Sequence, residues 1–548
     1  MSWVRRCELA GVLAIVVACA AFASAAAGDG TSGPADKSTS TASDPLAAPQ
    51  PPDGKWLRDA DGQEYYGQTV KLPPGAYQWL NPEKTRARTQ HGVEVEVLAH
   101  DDQGLTIKVY RTDDQSPAPA QVQAPSKQDL ERVAHSYEPE VKQGGGVQLT
   151  AIDEGLPQRG QWRNGFAVAD VDGDGHADIA FGPPRKSRRP PVIFRRDGAG
   201  HWSAWQEARF PDLPFDYGDA AVGDLNGDGH ADVVLASHLR GIVATVGDGQ
   251  GKFTAWTKGI DFGLPGTKDQ TPIFTSRAIT LADWNHDGRP DIVALGEGPQ
   301  LTIGQRPAVA QGSRGIVVYL NGGDGTWSKR AEVGSGNFGS SLAVADMNGD
   351  GLLDIVTGSE RRGFRGILNL GQPDGSWREV VIDELRPDAI FRAVAVGDFD
   401  HDGKNDLAVG YLSSELGVDR RGIDVLLARG AGWQRKTLLA DQTRVPIGAL
   451  ATGDIDGDGA LDLVAVDGEG QLLVFRGDGR GGFAREPIAK PPLAEKCTGY
   501  GLSLSNVDGA KGDDIVASFA DESDGDPIVG GAPCPSQGSL RVWHVRLD

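Results

Sequence analysis

DVDGDGHAD, at residues 170–178, is the first of seven copies of one acidic turn in this chain of 548 residues. The later copies begin 52 to 63 residues apart and read DLNGDGHAD from Asp224, DWNHDGRPD from Asp283, DMNGDGLLD from Asp346, DFDHDGKND from Asp398, DIDGDGALD from Asp454 and the degenerate NVDGAKGDD from Asn506. Each copy lies between two apolar runs, such as DIAFG and DVVLA, that are typical of buried strands. A repeat of this period indicates an array of similar structural units.

A second turn, followed by an aromatic residue, occurs later in each of the first six units. These aromatic residues, which we expect to pack between neighbouring sheets, are Trp202, Phe253, Trp327, Trp377, Trp433 and Phe483. Each unit therefore contains four short strands, and a series of such units is typical of a β-propeller. The sequence predicts an all-β fold, namely a seven-bladed β-propeller with four-stranded blades over residues 144–548.

The two ends of the repeat region predict how the ring closes. The chain ends on SLRVWHVRLD, which corresponds to a third strand, so the seventh unit lacks its fourth strand. GVQLTAID, residues 146–153, is a strand that precedes the first unit and belongs to no unit. Pairing of these two strands would close the ring and remove two exposed sheet edges.

The acidic turns follow the pattern D-x-[DN]-x-D-G-x-x-D, in which the glycine at position 6 permits a sharp reversal of the chain. The side chains at positions 1, 3, 5 and 9 then converge, and the carbonyl at position 7 adds a further oxygen. Such a set of hard oxygen donors suits Ca²⁺. The predicted ligands of about six structural calcium sites, in which each position-7 residue supplies its backbone carbonyl, are Asp170, Asp172, Asp174, His176, Asp178, Asp224, Asn226, Asp228, His230, Asp232, Asp283, Asn285, Asp287, Arg289, Asp291, Asp346, Asn348, Asp350, Leu352, Asp354, Asp398, Asp400, Asp402, Lys404, Asp406, Asp454, Asp456, Asp458, Ala460 and Asp462.

Two other interpretations of these turns can be compared with calcium binding. A single copy could be an Asp-Gly turn held by side-chain hydrogen bonds without a metal, but six copies with the same four positions favour calcium. An EF-hand is excluded, because it needs Glu at position 12 and flanking helices, whereas Phe181 stands there in the first copy, inside a strand-like run. The seventh copy has Ala510 at position 5, so we expect it to bind calcium weakly or not at all.

The repeats resemble the FG-GAP/VCBS family, which includes the propeller of integrin α subunits. The resemblance covers about residues 144–548 and implies a seven-bladed propeller with metal loops between the first and second strands of each blade, on one face. Six good loops are more than integrin α subunits have, and the FG and GAP signatures, at Phe338-Gly339 and Phe181-Gly182-Pro183, are weak.

Composition restricts the class of partner. The chain contains 76 glycines, which indicates many tight turns, and its formal net charge is −22. An acidic chain of this kind is not expected to bind nucleic acid or an anionic membrane as its main partner.

The first 143 residues divide into four segments before the repeats. Residues 1–27 have the charged, apolar and small-residue regions of a signal peptide, and Val16-Val17-Ala18-Cys19 resembles a bacterial lipobox, which leaves a lipid anchor at Cys19 open. Residues 28–53 are predicted to be a disordered spacer, residues 54–113 a small β domain, and residues 114–143 a Pro-rich linker with a short helix. The protein is therefore expected to be secreted, at the cell surface or periplasmic, and no later segment is long and apolar enough to span a membrane.

Two cysteines remain after the signal peptide, Cys497 and Cys534. In an exported protein two such cysteines most simply form one disulfide.

The residues just before the inner strands are the candidate ligand contacts on the face opposite the acidic turns. They are Arg163, Tyr217, Arg277, Arg392 and Tyr500, a set of cations and aromatic rings that would suit an anionic or glycan ligand. The preferred function is a non-enzymatic binding or adhesion module for a glycan or protein partner. The alternatives are a uronate lyase or other glycan-processing enzyme, with a Tyr or His base beside a neutralising Arg, and a scaffold subunit of an envelope assembly.

Overall fold

A computed structural model of the protein describes residues 133–547, with short gaps, and seven strands between residues 56 and 108. The gaps are at residues 186, 188, 264–273, 299–314, 334–335, 416–417, 431, 490–496, 522–533 and 535. The predicted signal peptide, the spacer and residues 114–132 of the predicted linker lie outside the described residues. The chain divides into two compact units, and residues 123–300 and 307–548 form the second.

The strands of the first unit are short and antiparallel. They are β1 (Trp56–Arg58), β2 (Glu64–Tyr66), β3 (Thr69–Leu72), β4 (Tyr77–Trp79), β5 (Arg86–Thr89), β6 (Glu94–Asp101) and β7 (Gly104–Lys108). β1 pairs with β2, and the other five strands form a sheet in the order β3-β7-β6-β5-β4. They lie within residues 54–113, where a separate small β domain stays a prediction.

Each of the first six repeats of the second unit supplies four antiparallel strands to one sheet, the seventh repeat supplies three, and the seven sheets are the blades of a propeller. Two strands precede the first blade, β8 (Lys142–Gln143) and β9 (Val147–Ala151). Blade 1 contains β10 (Phe166–Ala169), β11 (Asp178–Phe181), β12 (Val192–Arg196) and β13 (Trp202–Ala204). Blade 2 contains β14 (Ala220–Gly223), β15 (Asp232–Ser237), β16 (Gly241–Gly247) and β17 (Phe253–Ala255). Blade 3 contains β18 (Ser276–Ala282), β19 (Asp291–Gly296), β20 (Gly315–Asn321) and β21 (Trp327–Val333). Blades 4 to 7 contain β22 (Leu342–Ala345), β23 (Asp354–Thr357), β24 (Leu368–Gly371), β25 (Trp377–Val380); β26 (Ile390–Gly397), β27 (Asp406–Ser413), β28 (Arg420–Arg429), β29 (Gly432–Asp441); β30 (Ile447–Gly453), β31 (Asp462–Asp467), β32 (Leu472–Gly477), β33 (Phe483–Glu486); β34 (Thr498–Ser505), β35 (Asp514–Ala520) and β36 (Gly538–Leu547).

The ring closes by strand exchange, as the sequence predicts. β9 supplies the fourth strand of blade 7 by pairing antiparallel with β36, in a register that places Thr150 opposite His544. β8 adds a fifth, parallel strand to the edge of blade 6, next to β33. Residues from the start of the repeat region thus join the last two blades.

Among the described residues of the propeller, the hydrophobic core forms seven clusters, one between each pair of neighbouring blades. The second strands, such as β15, are buried along their whole length, because a blade covers them on each side. This explains why their sequences are continuous apolar runs rather than alternating ones. The six predicted packing aromatics all lie in or against these clusters.

Tyr137 attaches the segment before the propeller to blade 5. Residues 133–135 are helical and lie in the segment for which a short helix is predicted. The Tyr137 ring lies 3.8 Å from the guanidinium carbon of Arg386 and 4.6 Å from that of Arg420. Arg386 is 2% exposed and donates two hydrogen bonds to Asp424, at 2.9 and 3.2 Å. The ring of Tyr137 therefore covers a buried ion pair.

Cys497 and Cys534 form the predicted disulfide, with their Cα atoms 4.8 Å apart. The bond joins the residue before the first strand of blade 7 to the segment before its third strand, β36.

Candidate functional site

Each of the six complete acidic turns joins the first strand of its blade to the second, so all six lie at the same end of the blades. The aspartate at position 1 organises the turn. In the first loop, one carboxylate oxygen of Asp170 accepts hydrogen bonds from the amides of Gly173 and Asp174, and the other accepts one from Gly175. Gly175 has a φ of +88°, which a residue with a side chain rarely adopts, so position 6 requires glycine.

The aspartate at position 9 is fully buried and fastens the loop to the blade. Asp178 accepts a hydrogen bond from Val171 at position 2 and another from Arg196 in the third strand. The equivalent aspartates of the other five complete loops, which also accept one bond from position 2 and one from the third strand, are Asp232, Asp291, Asp354, Asp406 and Asp462.

Burial raises the pKa of these position-9 carboxyl groups to about 6, and to about 7 for Asp462. Neighbouring carboxylates, such as Asp172 beside Asp178, raise it further, against the effect of the backbone hydrogen bonds. The loops therefore concentrate negative charge in a place that favours a bound cation.

Oxygen atoms of three loops are arranged closely enough to hold a metal ion. The carboxylates at positions 1, 3 and 9 have ligand atoms within 4.8 Å of one another in the loops that begin at Asp170, Asp398 and Asp454. In the other three complete loops position 3 is asparagine, and its amide nitrogen donates to the position-5 aspartate, for example from Asn226 to Asp228 at 2.9 Å. The donor set is all oxygen, which fits a hard divalent cation.

The position-7 residues, predicted to contribute carbonyl oxygens, have their amides hydrogen-bonded to the position-5 aspartate in every complete loop. The structure thus brings the thirty predicted ligand residues together in six similar loops. Their binding of calcium stays a prediction.

Arginines from the third strand contact the loops that have aspartate at position 3, and the sequence interpretation missed them. Arg195 donates to Asp172 at 2.8 Å, Arg429 contacts Asp400, and a nitrogen of Arg476 lies 3.9 Å from Asp456. These arginines lie about 20 residues after the loops whose aspartates they contact. The sequence motif does not include them, and only the register of the third strand shows which arginine meets which aspartate.

The predicted ligand residues lie near the opposite end of the first strands. Arg277 lies six residues before Asp283, which corresponds to about 20 Å along an extended strand. Arg277, Arg392 and Tyr500 each lie at a register shift at the start of the first strand of their blade. Such a bulge redirects a side chain out of the regular alternation of the strand.

Four of the five predicted ligand residues belong to neighbouring blades and form a group that we call the mouth cluster: Arg163, Tyr217, Tyr500 and Arg277. The guanidinium carbon of Arg163 lies 4.9 Å from the centroid of the Tyr500 ring and 5.6 Å from that of Tyr217. Burial raises the pKa of the Tyr217 hydroxyl, whereas the charges of Arg163 and Arg277 act in the opposite direction. These residues come from blades 7, 1, 2 and 3.

Two further residues, His238 and Glu297, extend the mouth cluster. The ring of His238 lies 4.5 Å from that of Tyr217, and its Nδ1 lies 2.6 Å from Oε2 of Glu297, which is also 3.1 Å from Nε of Arg277. Burial would raise the pKa of Glu297, but the hydrogen bond and charge of His238 and the charge of Arg277 hold it at about 2. Glu297 is therefore ionised and accepts the Nδ1 proton of His238. Its position directly after a buried strand is the only signal for it in the sequence.

Arg392 is exposed in blade 5, across the ring from the blades that carry the mouth cluster. Within the described part of the chain, the contacts of the cluster do not include Arg392.

Comparisons with known proteins concern the repeats of the propeller. The family model described as FG-GAP-like repeat matches residues 170–235, 224–294 and 308–357, and the model described as FG-GAP repeat matches residues 391–414. The chain therefore carries FG-GAP repeats on a seven-bladed propeller.

Two individual proteins are similar to the chain. Integrin alpha pat-2 of Caenorhabditis briggsae is 31% identical over 228 residues, which cover 35% of this chain and 17% of that protein. The match thus spans less than a fifth of the length of that relative. Among solved structures, the V. cholerae biofilm matrix protein Bap1 has 13% sequence identity and a TM-score of 0.37, over 73% of this chain and 91% of that one.

The residues that the structure describes include no helix of the length and apolar character needed to cross a bilayer.

Proposed function

We propose that the protein is an exported, calcium-binding β-propeller that acts as a non-enzymatic binding or adhesion module, with its ligand site at the mouth cluster. The observation that carries this proposal is the convergence of Arg163, Tyr217, Tyr500 and Arg277 from four neighbouring blades. Arg163, Arg277 and Tyr500 are half-buried in this group, which leaves part of each side chain for contact with a partner.

The chemistry of the mouth cluster favours an acidic partner. Arg163 and Arg277 supply fixed positive charge, and only Glu297 among the contacts described above opposes it. Carboxylate or sulfate groups would pair with the guanidinium groups, and the half-buried ring of Tyr500 would pack against a sugar ring, whereas Tyr217 is buried and supports the cluster from beneath. The partner is a glycan or a protein that carries such groups, and the similarity to an integrin α subunit supports the protein form.

The acidic loops have a structural role in this proposal. About six calcium ions, one for each complete loop, would neutralise the carboxylates at the end of the blades opposite the mouth cluster. The loops would then stabilise the ring without contacting the ligand.

Export and location belong to the same proposal. The predicted signal peptide would place the propeller outside the cytoplasm, as a secreted, surface or periplasmic protein, and Cys19 offers a possible lipid anchor. Millimolar calcium and an oxidising environment for the disulfide are then available together.

A binding assay with the full chain in millimolar calcium tests the ligand site. Immobilised polygalacturonate serves as the acidic glycan and dextran as the neutral one. We expect salt-sensitive retention on the acidic glycan and a large loss of retention in Arg163→Gln. Arg392→Gln is the matched control, because it removes an exposed arginine from a distant blade. Equal retention of both variants would contradict the proposed site.

A second candidate function, glycan lysis, is favoured by the contact chain from Tyr217 through His238 to Glu297. In a uronate lyase, a base removes the proton from the carbon next to the carboxylate, and an arginine neutralises that carboxylate. A double bond forms to the adjacent carbon as its bond to the glycosidic oxygen breaks, and this oxygen takes up a proton as it leaves. Tyr217 or His238 would be the base, and Arg163 or Arg277 the neutralising group.

The ultraviolet absorbance of unsaturated products separates the two candidates. Rising absorbance with the full chain on acidic glycans, lost in Tyr217→Phe, would favour the lyase. Binding without any rise would favour the binding module.

A further inference from the structure

The seven blades show a regular relation between position 3 of the acidic turn and the third strand. Where position 3 is aspartate, in blades 1, 5, 6 and 7, a cationic or titratable side chain of the third strand contacts it; these pairs are Asp172 with Arg195, Asp400 with Arg429, Asp456 with Arg476 and Asp508 with His544. Where position 3 is asparagine, in blades 2, 3 and 4, the third-strand residue at the register position of Arg195 is apolar; these residues are Val246, Leu320 and Leu370. Blade 5 also has an apolar residue there, Leu427, and its Arg429 reaches the loop from two residues further along the strand. Each position-3 aspartate, which places a second carboxylate near the one at position 9, is thus contacted by an arginine or a histidine of the third strand.

Blade 7 differs from the other three aspartate loops in the chemistry of this partner. His544 occupies the same register position in blade 7 as Arg195 does in blade 1. In each blade the preceding residue, Trp543 or Phe194, pairs with the isoleucine that directly follows position 9 of the turn. An arginine stays protonated and can only act as a cation, whereas a neutral imidazole is a metal ligand.

The seventh turn has also lost two of its oxygen donors for calcium. Asn506 replaces the aspartate at position 1, and its amide nitrogen is directed to the carbonyl of Ala510 at position 5. Carboxylates remain at two of the ligand positions, 3 and 9, and each has one oxygen held by backbone amides: Asp508 accepts from Ala510, and Asp514 accepts from Val507.

The other oxygens of these two carboxylates converge on one atom, Nδ1 of His544. Asp514 Oδ1 lies 2.9 Å from it and Asp508 Oδ2 lies 3.2 Å from it. One N–H group can donate well to only one of the two oxygens. Neighbouring ligand atoms around Zn²⁺ at bond lengths of about 2.0–2.1 Å are themselves separated by about 2.9–3.4 Å. The two nitrogen–oxygen distances already fall in this range, and ligand atoms of all three residues lie within 4.8 Å of one another.

The surroundings of the three side chains suit a bound ion. Asp514 is fully buried, and Asp508 and His544 are 17% and 15% exposed. The site is therefore pre-formed by the β35–β36 pairing and the adjacent turn, and it is open on one side for entry of an ion.

We propose that blade 7 carries a binding site for a borderline transition-metal ion of the Zn²⁺ class, formed by Asp508, Asp514 and His544. It differs from the six oxygen loops in having a nitrogen ligand, which Zn²⁺, Co²⁺ and similar ions accept readily and Ca²⁺ does not favour. The propeller thus selects two kinds of metal with one repeated scaffold.

Metal retention by the full chain tests this site. The chain is stripped with a chelator, dialysed into millimolar calcium to fill the oxygen loops, incubated with Zn²⁺ and passed through a desalting column. We expect one Zn²⁺ per chain to be retained in the presence of calcium, and Co²⁺ in its place to give visible ligand-field absorption. His544→Gln and Asp508→Asn should each lose the retained ion.

His201→Gln is the matched control. His201 also lies near two carboxylates, Glu154 at 3.8 Å and Asp197 at 3.6 Å, but its side chain is 56% exposed. This variant should retain the ion as the unchanged protein does. Melting temperatures in calcium show which variants are folded. If no variant folds, retention of Zn²⁺ by the unchanged protein still tests the site.

Two results would overturn the proposal. If the unchanged protein retains no Zn²⁺, His544 acts only as a proton-bearing partner of the two carboxylates. If folded His544→Gln or Asp508→Asn retains as much Zn²⁺ as the unchanged protein, the ion is bound elsewhere on the chain.

Discussion

The position-9 aspartates have a role that goes beyond the predicted metal ligation. Each one accepts backbone hydrogen bonds from its own turn and from the third strand, as Asp462 does from Ile455 and Gly477. The spacing of the motif predicts that this residue faces the site, but the second contact depends on strand register, which the motif does not contain. The residue therefore connects the loop to the blade in addition to its predicted role as a metal ligand.

Asp462→Ala should be much more destabilising than Asp458→Ala when calcium is removed. The first change leaves two buried amides without an acceptor, which costs about 2–5 kcal/mol in the free energy of unfolding. The second removes an exposed side chain whose contact with Ala460 lies at the surface of the loop, and it should cost about 1 kcal/mol or less. Urea unfolding in chelator measures both values, and equal losses would contradict the fastening role of position 9.

Arg195→Gln should strengthen cation binding by the first loop. The guanidinium group contacts Asp172, so it repels an incoming divalent ion, and at roughly 5 Å in water this repulsion is on the order of 1–2 kcal/mol, or about tenfold in affinity. Isothermal titration with calcium should resolve the tighter site. Arg378→Gln, which changes an exposed arginine on the outer strand of blade 4, is the control. Unchanged or weaker binding by Arg195→Gln would show that the arginine supports the loop instead.

Single residues of the mouth cluster were predictable to different degrees. Arg163, Tyr217, Tyr500 and Arg277 could be found because each lies six or seven residues before an acidic turn. Glu297 could not be assigned, since a lone glutamate after a strand has no pattern of its own. The separation of Arg392 from the cluster follows from the order of the blades around the ring.

At the scale of elements, the segment before the propeller is fixed by packing rather than by strand pairing alone. The Tyr137 hydroxyl lies 3.0 Å from the hydroxyl of Ser413 and 3.1 Å from Glu415, while its ring covers Arg386. The segment thus docks on blade 5 before β8 and β9 join blades 6 and 7.

Tyr137→Ala should release this segment. The loss of a buried ring above a buried ion pair should lower the free energy of unfolding by about 3–5 kcal/mol, as for other large aromatic truncations. Limited proteolysis should cut near residues 133–140 in this variant, whereas Tyr137→Phe, which keeps the ring, should stay resistant. Resistance of both variants would mean that β8 and β9 hold the segment without Tyr137.

The elements themselves were predictable where their pattern is strong. The acidic turns, the continuous apolar second strands and the exchanged strand β9 follow from repeat spacing and apolar runs. β8 could not be predicted, because Lys142 and Gln143 are exposed and carry no apolar pattern. The bulges that redirect Arg277, Arg392 and Tyr500 were also not predictable, since they depend on pairing with the next strand.

At the scale of the whole molecule, the described ring is held together by seven inter-blade cores, an exchanged strand and one disulfide. Its six complete acidic loops act in the opposite direction when no cation is bound, because the carboxylates within each loop repel one another. Extracellular calcium modules bind with dissociation constants of about 10⁻⁴–10⁻³ M, so calcium at about 1 mM contributes about 0.4–1.4 kcal/mol for each site. Six sites would together add several kcal/mol, which is comparable to the net stability of a domain. Calcium would therefore decide how firmly the ring holds together.

Thermal unfolding of the full chain, in millimolar calcium and again after exhaustive chelation, tests this claim most directly. We expect the melting temperature to fall by about 5 °C or more on chelation, because several kcal/mol of binding free energy is lost, and to recover when calcium is restored. The same melting temperature in both solutions would contradict the proposal that the acidic loops hold the propeller together by binding calcium.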